Sequence, residues 1–284
     1  MRRLGGPLVA AAAVLLATAA SGSYAGEPEA PASPRLEGAE SRLVAAKAQL
    51  MSADYRGDLA DLGRLREEVL RLTGDPQIGY LAHYWAGFAS WRLAINGASA
   101  NMSPGDLKAH LERAALDFAA AARLRDSFAD AYAAGSMVHG WLVRFFASDP
   151  DAARLHFSTA MQLSARAKAL APTNPRVLWM QGGEYLFLPP TRGGDPRRAI
   201  EIYRQMVAAS EAIAATGSPL PDWGKPEALM SLAYAHLNQA PPDLAAASAE
   251  AHEALRLVPE WHYVRDILLP MIEAMPAPPR RTPS

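Results

Sequence analysis

The stretch "TAMQLSARAKALAPTNPRVLWMQGGEYLF", Thr159 to Phe187, decides how the chain folds. Ala160 and Ala167 stand seven residues apart, two helical turns, and share one face of a helix. Pro172 closes that helix. The "TNP" that follows offers an N-cap side-chain oxygen and then a proline suited to a first helical turn. Beyond it, Leu178, Gly182 and Tyr185 recur at four and three, the period of one face of a second helix. Small and large residues therefore alternate across a tight turn between two helices.

The same alternation continues outward. "RRAIEIYRQM" places Ala199 and Tyr203 four apart. "PEALMSLAYAHL" with "AAASAEAHEALRLVPE" brings Ala233, Ala247, Ala251, Ala254 and Pro259. Weaker copies lie upstream, in "HYWAGFASWRLA" with Gly87 and "FADAYAAGSMVHGWL" with Gly135. Small residues let antiparallel helices approach, and large ones fill the holes of the next pair. This pattern resembles the tetratricopeptide (TPR) repeat, over residues 36 to 274 and most clearly over 160–259. The resemblance implies an all-α, TPR-like α-solenoid of about five antiparallel helix pairs plus a C-terminal capping helix. The pairs are expected at 36–73, 76–125, 127–170, 174–216 and 223–257. Helix 260–274 follows, kinked at Pro270.

Cap chemistry supports these boundaries: "GDP" at Gly74–Pro76, "SPGD" at Ser103–Asp106, "SDPD" at Ser148–Asp151 and "GDP" at Gly194–Pro196. Between Leu36 and Met275 no alternating Val/Ile/Thr run suggests a strand.

The ends read differently. Residues 1–25 carry Arg2 and Arg3, an apolar run from Pro7 to about Ala20, and small residues Ser23 and Ala25 before the expected cleavage point. That is the form of a cleavable signal peptide, and the Ala-rich run falls short of the ~20 strongly apolar residues of a membrane span. The chain has no cysteine, so lipobox anchoring and disulfides are both excluded. The expectation is a periplasmic or secreted protein with no membrane insertion after signal cleavage. Residues 26–35 read as a Pro-rich linker and 276–284 as a disordered Pro-rich tail. The formal net charge of −1 becomes −3 once Arg2 and Arg3 leave, so no basic field exists to draw nucleic acid.

Catalytic patterns are missing. There is no G-x-S-x-G and no H-E-x-x-H, and the seven histidines are scattered. No metal and no cofactor is expected, and "RGD" at Arg56–Asp58 reads as an inter-helix turn. "FLPPTRGGDP" (Phe187–Pro196) has paired glycines but neither Lys nor Ser/Thr after them, and Asp195 would oppose a phosphate. Asp195 reads as the next helix's N-cap. Tyr185 and Ala199 lie fourteen apart where the ordinary repeat has nine, so this loop carries five extra residues, and Arg192, Arg197 and Arg198 cluster there.

The first helix of each pair should line a concave groove. Its expected face carries Tyr84, Phe88, Trp91 and Arg92; Tyr132, Ser136 and His139; Arg176, Trp179 and Phe187; then Met230, Tyr234 and Asn238. Aromatics with Arg at the rim suit a partner-binding surface. The expected function is a non-catalytic exported scaffold holding a protein or peptide in that groove. A second reading comes from the "GGDPRRAIEIY" segment. On an exported TPR-like chain it looks like the periplasmic T component of TRAP-type transporters, which implies a small-ligand role beside a solute-binding protein. Those proteins are usually lipoproteins, and this chain lacks the cysteine.

Overall fold

The computed structural model describes residues 34–212 and 217–275, and the regular structure there is helical. The expected leader, nearly all of the linker and the tail lie outside the described residues. The helices are α1 (Pro34–Arg56), α2 (Leu59–Leu70), α3 (Gly79–Ser99), α4 (Pro104–Leu124), α5 (Ala129–Leu142), α6 (Pro150–Leu170), α7 (Pro175–Phe187), α8 (Pro196–Glu211), α9 (Lys225–Asn238), α10 (Leu244–Leu257) and α11 (Leu269–Glu273). Consecutive helices pack as pairs, α1 with α2 through α9 with α10, so the five expected pairs form. Helix α1 starts at Pro34, slightly inside the segment expected to be linker.

Side-chain caps open most of these helices. Asp58, Ser103, Asp149, Asn174, Asp195 and Asp243 each accept a backbone N–H of the following turn. Each takes up at least one of the donors that a helix start leaves without an intrahelical partner, and Asp195 takes two. Arg56–Asp58 is a turn, as expected. Gly57 sits at φ +69, in the left-handed region, and Asp58 caps α2.

The seams are tight where small residues meet large ones. A Cβ on Gly182 would fall within the Tyr203 ring, so α7 and α8 approach at that point because no side chain intervenes. Gly87 lies against Phe118 in the same way, at 3.0 Å from a would-be Cβ. Ala199 and Tyr203, paired in the sequence reading, are both buried.

The capping helix changes its hydrogen bonding just before Pro270, where a kink was expected. Pro270 has no N–H to give to a carbonyl one turn back, and residues Val264–Leu268 form a π-helical turn just before it. This segment also meets the other end of the stack. Trp261 packs edge-on against Tyr55 of α1 with ring centroids 5.0 Å apart, and His262 covers Gly57.

The extended stretch Gly217–Gly224, between α8 and α9, follows no helical period. It is held by side chains from three distant helices. Lys47 Nζ of α1 donates to the Ser218 carbonyl (2.7 Å) and pairs with Asp222 (2.6 Å). Trp85 Nε1 of α3 donates to the Pro219 carbonyl at 2.8 Å. Arg176 of α7 donates to the Trp223 carbonyl at 3.3 Å, and Trp223 Nε1 donates to the Tyr84 hydroxyl at 3.2 Å. The first helices α1, α3 and α7 thus hold the chain's own segment where a concave groove for a partner was expected.

Candidate functional site: a tryptophan-walled cavity

Beneath Trp223 lies a small cavity. Its walls come from Asp54 of α1, Phe88, Trp91 and Arg92 of α3, Trp179 of α7, Trp223 of the Gly217–Gly224 connection, Glu227 and Met230 of α9, and Trp261. The spacing in α3 explains part of this. Phe88, Trp91 and Arg92 stand three and four apart, on one helical face turned toward the other first helices. Trp179 lies 5.5 Å from Trp91 and 5.5 Å from Trp223, ring centre to ring centre. The space inside is about 20 Å³, room for a group of one or two heavy atoms.

The polar groups of this cavity are unequally satisfied. Asp54 accepts from Arg92 Nε at 2.5 Å and from Asn96 at 2.9 Å, so its charge is matched. Trp179 Nε1 donates to Ser231 at 2.8 Å. Glu227 Oε1 accepts the Tyr55 hydroxyl at 2.5 Å. Two atoms are left over: Trp91 Nε1 and Glu227 Oε2 are buried and have no protein hydrogen-bond partner. Their residues are only 1% and 8% exposed. Burial pushes the Glu227 carboxyl above its ordinary range. The nearby Asp54 charge adds to this, while the Tyr55 hydrogen bond and Arg92 act the other way.

The sequence-derived residues divide into three groups. Phe88, Trp91, Arg92, Trp179 and Met230 come together here. Tyr84 and Arg176 stand behind the wall. Tyr84 is fully buried, and Arg176 is buried against Asp130 at 2.6 Å. The rest lie apart from the cavity. His139 of α5 meets His156 of α6 with their Nδ1 atoms 2.9 Å apart, Ser136 donates to the Ala160 carbonyl, and the Arg166 guanidinium sits over the Tyr132 ring. These three serve the α5–α6 seam, because the α5 face chosen from the helical wheel turns partly toward its own partner. Phe187 and Tyr234 pack together at 5.9 Å on the surface, and Asn238 caps back onto the Tyr234 carbonyl.

Sequence reasoning missed Asp54, Trp223, Glu227 and Trp261. Trp223 sits in a Pro/Gly-rich connection on no periodic face, and Trp261, at the start of the expected helix 260–274, reads as an exposed aromatic but is buried. The one available hint was composition: a tryptophan inside "SPLPDWG" is out of place in a solvated loop.

Among the described residues, no group of three or more His, Asp or Glu is placed to hold a metal ion, and no helix is long and apolar enough to cross a membrane. The loop Phe187–Pro196 is a helix-to-helix connection. Pro190–Arg192 form a single 3₁₀ turn, Gly193 takes φ +92, and Asp195 caps α8 through the Arg197 and Arg198 N–H groups. Arg192 and Arg198 lie over the rings of Phe157 and Tyr185.

No protein-family model matches the chain, and no curated protein matches it significantly. A thermophilic TPR protein of Thermus thermophilus is a similar solved structure, at 16% identity and a TM-score of 0.46. The match covers 74% of this chain and 100% of that one. The paired-helix architecture given above rests on the packing within this chain.

Proposed function

We propose that this is a non-catalytic helical-repeat binding protein, exported behind residues 1–25, that takes the terminal group of a small ligand, one or two heavy atoms, into the tryptophan-walled cavity. The observation that carries this reading is the pair of unpartnered buried atoms, Trp91 Nε1 and Glu227 Oε2, on side chains lining one aromatic pocket. An unsatisfied buried donor or acceptor costs about 1–3 kcal/mol, and a ligand group that pairs with either atom recovers its share of that cost. The lining contains no Ser, Cys or His, and its two carboxyl groups are engaged, Asp54 by Arg92 and Glu227 by the Tyr55 hydroxyl, which favours binding over nucleophilic chemistry. An extended peptide would first have to displace Gly217–Gly224. A small ligand needs no such exchange, and the resemblance of Gly193–Tyr203 to TRAP-type T components implies a role of the same kind.

The test is a thermal-shift and tryptophan-fluorescence screen of the mature chain against small metabolites. Trp91→Phe and Glu227→Gln should abolish any hit while circular dichroism stays unchanged. Failure of every small-molecule class to bind would overturn the reading. Export is checked separately: the protein recovered outside the cytoplasm should begin at Gly26.

The protein-partner reading keeps one specific support, the surface pair Phe187 and Tyr234, with Phe187 55% exposed. If a partner docks there, Phe187→Ala with Tyr234→Ala weakens its capture. Unchanged capture removes that surface from consideration.

A further inference from the structure

We infer that His139 and His156 form a metal site of their own, apart from the cavity, which takes one copper(II) ion across the α5–α6 pair.

Geometry comes first. His139 of α5 and His156 of α6 stand 17 positions apart in the chain and bring their Nδ1 atoms to 2.9 Å. Metal–imidazole bonds run about 2.0–2.1 Å. Two such bonds at a right angle place their nitrogens about 2.8–3.0 Å apart, and at the tetrahedral angle about 3.3–3.4 Å. The observed spacing is that of neighbouring positions in a square-planar or tetragonal site. Copper(II) prefers that geometry, accepts imidazole, and binds most tightly among the first-row divalent ions. Among the described residues no third His, Asp or Glu joins the pair, so water takes the remaining positions.

The contact as it stands is a hydrogen bond between two imidazoles, one Nδ1 donating and the other accepting. A metal replaces it without net release of a proton. The donor ring passes its Nδ1 proton to its own Nε2 through water, and both Nδ1 lone pairs then serve the ion. Each ring also turns, since hydrogen-bonded nitrogens aim at one another and ligating nitrogens aim at an ion beside them. The Cβ–Cγ torsion of histidine is broad, so the turn meets little resistance.

The surroundings admit a cation. Both histidines are half-buried and reach water as well as each other. Imidazoles are mostly neutral above about pH 6.5, and burial lowers the proton affinity of these two further. Glu112 and Lys108 of α4 act on His156 with opposite signs and pair with each other at 3.4 Å, so they add no net repulsion. Phe146 stacks on the His156 ring at 4.8 Å and shields one side of it. Three other histidines are engaged elsewhere, His83 with Asp117, His252 with Ser248 and His262 with Asp266.

The experiment uses the untagged mature chain, stripped with a chelator and held near pH 7.5, where imidazole is mostly neutral. The probes are the chlorides of copper(II), zinc and magnesium. Equilibrium dialysis should show one copper(II) per chain, held at least about tenfold tighter than zinc, with no magnesium bound. His139→Gln and His156→Gln should each weaken copper(II) by at least about tenfold and remove the rise in Tm that it gives the parent chain. His252→Gln, at an exposed position on α10, should change neither. If the variants fail to fold, electron spin-echo spectroscopy of copper on the unmodified chain decides, since it should register two imidazoles. Copper held as tightly after either substitution, zinc held as tightly as copper, a spectrum without two imidazoles, or no copper binding would each overturn the assignment. The cavity shares no residue with this pair, so none of these results bears on the small-ligand reading.

Discussion

Gly182 has no side chain because the ring of Tyr203 occupies the space where one would go. That single absence sets how closely α7 and α8 pack, and it was legible in the sequence as a small residue spaced against a large one. Gly182→Ala should destabilise the chain by about 1–3 kcal/mol, measured as a lower midpoint in urea. Tyr203→Leu on top of it should recover part of the loss, because the clash partner has shrunk. Glu227 is the opposite case. A glutamate early in a helix reads as ordinary surface charge, and nothing in "KPEALM" distinguishes it. Its burial follows from Tyr55 and Trp261, which lie 172 and 34 positions away along the chain. Single-residue roles set by local period were readable; those set by distant contacts were not.

Among the elements, Gly217–Gly224 behaves least like the rest. It has few backbone hydrogen bonds of its own and is pinned mainly by side chains, above all by the buried Lys47. Removing one partner of a buried ion pair costs about 3–5 kcal/mol, less here because Asp222 keeps some contact with water. Lys47→Ala should release the segment. Limited proteolysis of this variant should then cut within 217–224 well before the helices are digested. If the segment stays as resistant as in the parent chain, Lys47 is not what holds it. The loop Phe187–Pro196 is the other long connection, and here the sequence reading matched the structure at the cap. Asp195→Ala should cost about 1 kcal/mol, the usual loss of an N-cap, with no effect on ligand binding. Helix boundaries were readable because caps and prolines act locally. The course of Gly217–Gly224 was not, because an extended segment without period takes its position from what surrounds it.

At the scale of the whole molecule, two properties follow from the packing. The first concerns acid. Burial, and then the neighbouring His156, push His139 down to about 4, and burial also lowers His156. The folded chain therefore binds these protons less readily than the unfolded chain does. Their contribution to stability is complete above about pH 6.5 and drains away as the pH falls through that range toward 4. Glu227, raised in the fold, acts in the opposite sense and opposes part of this loss. Tm measured from neutral pH downward should fall, and His139→Gln should flatten that fall. An unchanged acid limb would place its origin elsewhere. The second property is cooperativity. In an open solenoid each pair touches only its neighbours, and the ends fray independently. Here Tyr55 meets Trp261, so unfolding should be a single transition by both far-ultraviolet circular dichroism and tryptophan fluorescence. Trp261→Ala, a loss of about 3–5 kcal/mol, should separate the two probes by freeing the C-terminal pair.

The contact between Tyr55 and Trp261 also bears on ancestry. A row of helix pairs ordinarily lengthens by duplicating one of its units, since a new pair only has to stack on the last. In this chain an added pair would part Tyr55 from Trp261 and draw Trp223 out from above Trp179. Duplication would then break two distant sets of contacts at once, so the number of pairs is held at five by the fold itself.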